Sequence, residues 1–363
     1  MRRLVGNWCV KEMTISGDVY LETKGVVDML AKRFWMLGSV QLVLVLFSTA
    51  LAACQTPSPA LLVLEKEDKS LAIVDPGTLK IVGRVPAGED PHEVVVNQDG
   101  SRAYISNYGG FKTPQKTLSV VDLSSQKSLP PVDLGPLKAP HGLDLVNDKV
   151  YFTAEGSKVI GCYDPAANQV EWVVGTGQGR THMLKVLPDP GAIFTASMTS
   201  NTITVFERDK NADASGWTET NIPVSAAPEG FDVSPDGKEL WAASHQEMVT
   251  IVDIATKKVI QTINLHTKFA NRLKFTPDGK HVLISDLGNG DLILLDAASR
   301  NEVKRVSLGR GVAGILVAPD GSVAYVAVSP DSNVAVVDLK TFSVTGRIAT
   351  GKGPDGLAWA VRK

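Results

Sequence analysis

An all-β, seven-bladed propeller with four-stranded blades is the fold this sequence predicts, on three observations. An apolar run ending in a carboxylate recurs seven times, at residues 71–75, 118–122, 159–164, 202–207, 249–253, 292–296 and 334–338. The closing carboxylates lie between 42 residues apart (Asp122 to Asp164) and 47 (Asp75 to Asp122), a spacing typical of propeller repeats. Pro-Asp-Gly recurs at 235–237, 277–279 and 319–321, with a weaker copy at Gln98-Asp99-Gly100.

Each repeat reads as four short strands. In one they are residues 230–234, 239–243, 249–252 and 259–263, rich in Val, Ile and Thr. Pro presets φ and Gly supplies positive φ, so Pro-Asp-Gly turns the first strand into the second. The carboxylate ending each third strand is read as a turn residue that accepts backbone hydrogen bonds. The first repeat opens at its second strand, residues 61–64, and its innermost strand is expected from residues 356–360 at the C-terminus. The chain ends then close the ring, and radial repetition leaves only short sheet edges.

Composition fits one compact domain. The 363 residues carry 37 Lys+Arg against 39 Asp+Glu, with 44% hydrophobic and 21% charged residues. That excludes disordered, collagen-like and disulfide-built classes. Without a strongly basic balance, nucleic acid is an unlikely partner.

Residues 34–53 form a long apolar run behind Lys32 and Arg33. A basic flank, an apolar core and a small-residue exit make an export signal. Leu51-Ala52-Ala53-Cys54 resembles a bacterial lipobox, which implies an acylated Cys54 as the mature N-terminus. Ordinary cleavage after Ala or an uncleaved anchor are the alternatives. Met29 would open a compact signal, so residues 1–28 read as a gene-call extension. The organisation is thus residues 1–53, extension plus signal, and 54–363, a single propeller. The expected location is the periplasm, the outer membrane as a lipoprotein, or the cell surface. The mature chain holds 31 basic and 35 acidic residues. Beyond Cys54 it keeps only Cys162, so no intramolecular disulfide is available.

Strands at Ala103-Tyr-Ile-Ser-Asn107, Val150-Tyr-Phe-Thr-Ala154 and Ala324-Tyr-Val-Ala-Val328 follow such turns and precede the runs ending in Asp. Over residues 60–363 the chain resembles the YVTN-repeat propeller family, with its YncE-like and lactonase-like members. That resemblance implies the fold. For activity it offers lactonase-like and streptogramin-lyase-like enzymes, surface-layer proteins, and YncE-like proteins of unsettled role.

Innermost strands begin at one mouth of the central channel. The residue after the opening Pro, or its equivalent, reads His92, His141, His182, Glu229, Asn271, Gly314 and Asp355. His245 and His266 are expected on the same face. Three histidines and a carboxylate could bind Zn²⁺, Cu²⁺ or a similar divalent ion through His92, His141, His182 and Glu229. They could equally supply a general base, or simply hydrogen-bond neighbouring loops. Lys138, Arg180, Lys268, Arg272, Arg310 and Lys352 share that face and would suit an anionic ligand or partner. Residues 108–116, with Phe111, and 208–217, with Trp217, break the repeat on opposite faces and offer candidate partner anchors.

Phosphate-loop, dinucleotide, HExxH, CxxC and GxSxG motifs are absent from the sequence. Three readings remain: an envelope-anchored scaffold for a ligand or protein, a metal-dependent or His-catalysed lyase or lactone hydrolase, and a surface-layer or structural protein.

Overall fold

The computed structural model describes residues 56–110, 112–187, 191–209 and 216–363. The apolar run at 34–53, Cys54, Phe111 and most of the 208–217 loop lie outside these residues. Residues 54–363 form one compact unit.

Seven four-stranded antiparallel sheets appear, in the expected order. Blade two is representative: β4 (Pro91–Val96), β5 (Arg102–Asn107), β6 (Thr117–Asp122) and β7 (Lys127–Asp133), innermost to outermost. The inner strands of blades three to seven are β8 (Pro140–Val146), β12 (Thr181–Val186), β16 (Pro228–Val233), β20 (Ala270–Phe275) and β24 (Val312–Val317). Blade one consists of β28 (Pro354–Ala360), β1 (Ala60–Glu65), β2 (Ser70–Asp75) and β3 (Lys80–Pro86), in that order across the sheet. Its inner strand is therefore the C-terminal one, paired through Ala60 with Ala360, Leu61 with Trp359 and Leu62 with Ala358.

Sequence pattern explains the layering. The apolar β1 is buried along its whole length, because a blade packs on each of its faces. The outer β3 alternates exposed and half-buried residues, as a strand facing water on one side must.

The turns use the chemistry expected of them. Gly237 has φ +71° and donates its N–H to Ser234 O at 2.8 Å, while Asp236 accepts from Ser234 Oγ. Six of the seven repeated carboxylates accept a backbone N–H in the following turn: Asp75, Asp122, Asp164, Asp253, Asp296 and Asp338. Glu207, whose following turn lies largely outside the described residues, pairs with Lys257.

Deleting residues 354–363 removes the innermost strand of blade one and exposes the buried face of β1. The expected result is a melting temperature lowered by more than about 10 °C, read by circular dichroism. An unchanged melt would refute ring closure by this strand.

Candidate functional site

A β-bulge in the inner strands builds the channel mouth. In blade two Pro91 pairs with Asn107 and Val94 with Ile105, so His92 and Glu93 together oppose Ser106. The same two-against-one step sets His141 and Gly142 against Thr153, Glu229 and Gly230 against Ala243, and Asn271 and Arg272 against Ser285. A bulge bends its strand and re-aims a side chain. Here the first bulged residue of each blade turns into the mouth. Ser106 Oγ accepts Glu93 N–H at 3.1 Å and donates to His141 O at 2.6 Å, tying one blade to the next. Thr153 repeats the clamp between Gly142 N–H and His182 O. Gly142 and Gly230 are required by close approach: a Cβ would stand 2.7 Å from His182 O and 2.4 Å from Asn271 O, respectively.

His92, His141, His182, Glu229, Asn271 and Asp355 all line one cavity of about 870 Å³, together with His245, Arg180, Arg272 and Arg310. One expectation is corrected. In blade seven Val312 pairs with Val328 and Ile315 with Val326, so Ala313 holds the ring position and Gly314 lies one step deeper. His266 is on the expected face but does not join, since its side chain is 84% exposed at the rim near Glu247. Lys138, Lys268 and Lys352 do not line the cavity either. Trp217 packs 5.3 Å from the Trp172 ring with Arg208 above it, on the blades themselves.

Glu229 organises the site. It accepts from His182 Nε2 at 3.1 Å, His245 Nε2 at 2.7 Å, Asn271 Nδ2 at 3.0 Å and Arg272 Nη1 at 3.2 Å. Burial would raise its pKa, but the His182 charge, these hydrogen bonds and Arg272 hold it well below the usual carboxylate range. Arg272 also donates to Glu93 Oε1 at 2.7 Å across the channel, forming the cavity floor.

Beside Glu229 the three imidazoles pack in a row, tilted by 55° between His92 and His141 and by 34° between His141 and His182. The His141 centroid lies 3.7 Å from that of His182 and 4.5 Å from that of His92. Tyr108 packs against His92 and His141 at 4.9 and 5.3 Å. Protonation divides along the row. Burial would depress His182, but Glu229 and Glu155 overcome it and hold the pKa at about 9. His141 is lowered well below the normal range, first by burial and then by the His182 charge. His92 falls to about 4, through burial and then Lys66. The neutral His92 donates from Nδ1 to Asp90 O at 2.9 Å and accepts from Lys66 Nζ at 2.8 Å through Nε2.

Sequence reading missed Glu155, Lys66, Asp90 and Glu93. Glu155 sits in a 3₁₀ turn, residues Glu155–Ser157, bonded to Arg180 and Tyr108 and 3.8 Å from His182 Nδ1. Burial would raise Glu155, yet these partners hold it at about 2. Among the described residues, no three His, Cys, Asp or Glu side chains converge in a metal-binding arrangement.

Residues 70–321 match the profile of the cytochrome D1 heme domain family. The chain belongs to that family. Among solved structures, Kuenenia stuttgartiensis hydrazine synthase is similar at TM-score 0.67 and 20% identity, covering 77% of this chain and 92% of that one. A putative 6-phosphogluconolactonase from Bacteroides uniformis gives TM-score 0.69 at 15% identity, with 84% and 99% covered. The dihydro-heme d1 dehydrogenase NirN in complex with DHE gives 0.59 at 14%, with 82% and 74% covered. At these identities the likeness is one of fold. No curated protein matches the sequence significantly.

The network sets a pH window. His182 has a raised pKa, so its contribution to stability is full below about 6.5 and lost as pH rises through about 9. Glu155 has a lowered one, so its contribution is full above about 4.5 and lost as pH falls through about 2. Glu229→Gln removes the main charge facing His182. Its imidazole should then titrate at least two units lower by ¹⁵N NMR. An unmoved titration would show that Glu229 does not set it.

Proposed function

We propose that this propeller works as an acid–base site on a small, polar, water-soluble ligand, carried at the cell envelope by a lipid anchor at Cys54. The divided protonation of the packed imidazoles carries the reading. A charged His182 and a neutral His141, 3.7 Å apart on the wall of an open cavity, are an acid and a base held ready together. Perturbed groups gathered in a cleft are what catalytic sites need.

Lactone hydrolysis illustrates the chemistry and accords with the lactonase-like side of the YVTN resemblance. Neutral His141 takes a proton from water as its oxygen adds to the carbonyl carbon. The ring C–O bond breaks, and the leaving oxygen takes the Nε2 proton of His182, whose hydrogen bond to Glu229 is given up in the transfer. His141 then releases its proton to the water of the open cavity and His182 takes one up from it, which restores both. Arg180 and Arg310 border the cavity and would attract the carboxylate formed.

A heme, which the family description names, does not suit this donor set. An axial ligand must turn a ring nitrogen to the iron. His92 engages both nitrogens, and His182 and His245 give Nε2 to Glu229, so of these four imidazoles only His141 has no nitrogen bonded, its Nδ1 being buried. Lys66, Asp90, Glu229 and Asp355 put charge on walls that Tyr108, Met198, Phe269 and Leu287 share, whereas a flat macrocycle wants apolar faces throughout.

A second reading, ligand capture without turnover, is favoured by the four hydrogen bonds that immobilise Glu229. Titration calorimetry and proton release with a panel of small lactones and their hydroxy acids separate the two. Catalysis predicts a bell-shaped rate with its upper limb near pH 9, set by His182, and a loss of about 100-fold or more in His182→Asn. Binding without turnover would leave the capture reading; neither binding nor turnover across the panel would overturn both.

A further inference from the structure

We propose that the face opposite the histidine cavity is a membrane-docking surface, seated directly on a lipid bilayer with no flexible spacer. The proposal rests on the reading of Cys54 as the acylated N-terminus. It is argued from where the described chain begins. Thr56 is 2% exposed, and its hydroxyl donates to Leu123 O and accepts from Gln126 Nε2 at 3.1 Å. Arg362 donates to Thr56 O through its guanidinium and, from its backbone N–H, to Ser58 Oγ at 2.9 Å.

All these partners lie on one face. Leu123 and Gln126 follow the third strand of blade two, and Arg362 follows β28. Lys363 N–H donates to Asp99 O in the turn after β4. This is the face of the Pro-Asp-Gly turns, and every inner strand runs to it from the histidine mouth.

Only Gln55 separates Cys54 from Thr56, and two residue steps of extended chain reach at most about 7 Å. Lipoproteins tethered by a long Gly/Ser-rich segment sample all orientations, because such chains are random coils. Here the chain is bound to the body almost from its first residue. Acyl chains on Cys54 would therefore seat the turn face against the headgroups. The six steps of β28 place the histidine mouth about 20 Å further out. Charge does not compete with the tether, because the face mixes signs, as in Asp236 with Lys238 at 3.0 Å and Asp278 with Lys280 at 3.6 Å. The cavity then opens away from the lipid and takes its ligand from the aqueous side.

The test uses the full-length precursor, processed in cells, purified in detergent and returned to phosphatidylcholine vesicles carrying a headgroup-nitroxide lipid. A dye is placed at Ser124→Cys on the turn face or at Lys352→Cys on the histidine face, both exposed positions. Acylated Cys54 has no free thiol, and Cys162 is fully buried, so neither competes for the label. The expected result is quenching several-fold stronger at position 124 than at 352. Twenty Gly/Ser residues inserted after Gln55 reach about 25 Å and should abolish the difference. Equal quenching in the acylated, uninserted protein would overturn the docking surface. Mass spectrometry finding Cys54 without acyl chains would instead overturn the anchoring reading, and docking with it.

Discussion

The two-for-one bulge in the inner strands is the constraint on which the channel mouth depends. A regular strand would send alternate residues into the blades on either side. Setting two residues against one lets the strand present a side chain to the axis without losing its pairing below. The freed N–H is not left bare: in blades two, three and six it goes to a hydroxyl of the second strand, Ser106, Thr153 or Ser285. Backbone enters the bulge through the left-handed region at Asp90, Ala139, Arg180 and Ala227, which is costly outside glycine and persists only where the surroundings over-determine it. The ring is therefore held by the fold rather than by its own contacts.

That rigidity is what lets charge be buried. A carboxylate taken from water loses several kcal/mol of solvation unless its lone pairs are filled. Glu229 has four donors, from the two neighbouring blades and a turn of its own, and none of them is near it in sequence. The cost of burial is offset collectively, so removing one donor disturbs the others. The split between charged His182 and neutral His141 follows. Both are buried, but only His182 has a carboxylate facing each nitrogen, Glu229 at 3.1 Å and Glu155 at 3.8 Å. The charge on His182 then helps keep its neighbour neutral.

The fold was legible because its signals repeat: one carboxylate per third strand, one turn per first hairpin. Six ring positions were legible for the same reason, marked by Pro or by an equivalent place. The seventh slipped from Ala313 to Gly314 because Val312 stands where other blades carry Pro, and the bulge assigns two residues to a single rung. Glu155, Lys66 and Asp90 were not legible. They come from loops joining strands, where no period applies, and none of the three stands at a repeated position; Glu155, for one, meets Arg180, 25 residues on. His266 shows the converse error. It is on the predicted face, but a φ of +51° turns its connection so that the side chain points to solvent.

Ring closure also fixes which way the molecule faces. Inner strands descend from the histidine mouth and second strands climb back to it. A chain that opened on an inner strand would start at the mouth, beside the site. This one opens on β1, a second strand, and leaves its inner partner to β28. Both ends are thereby brought together on the turn face, where Ser58 and Arg362 bond to each other. Pairing the two ends of the propeller secures the ring, and by the same step it places Thr56 on the turn face, a full strand length from the site.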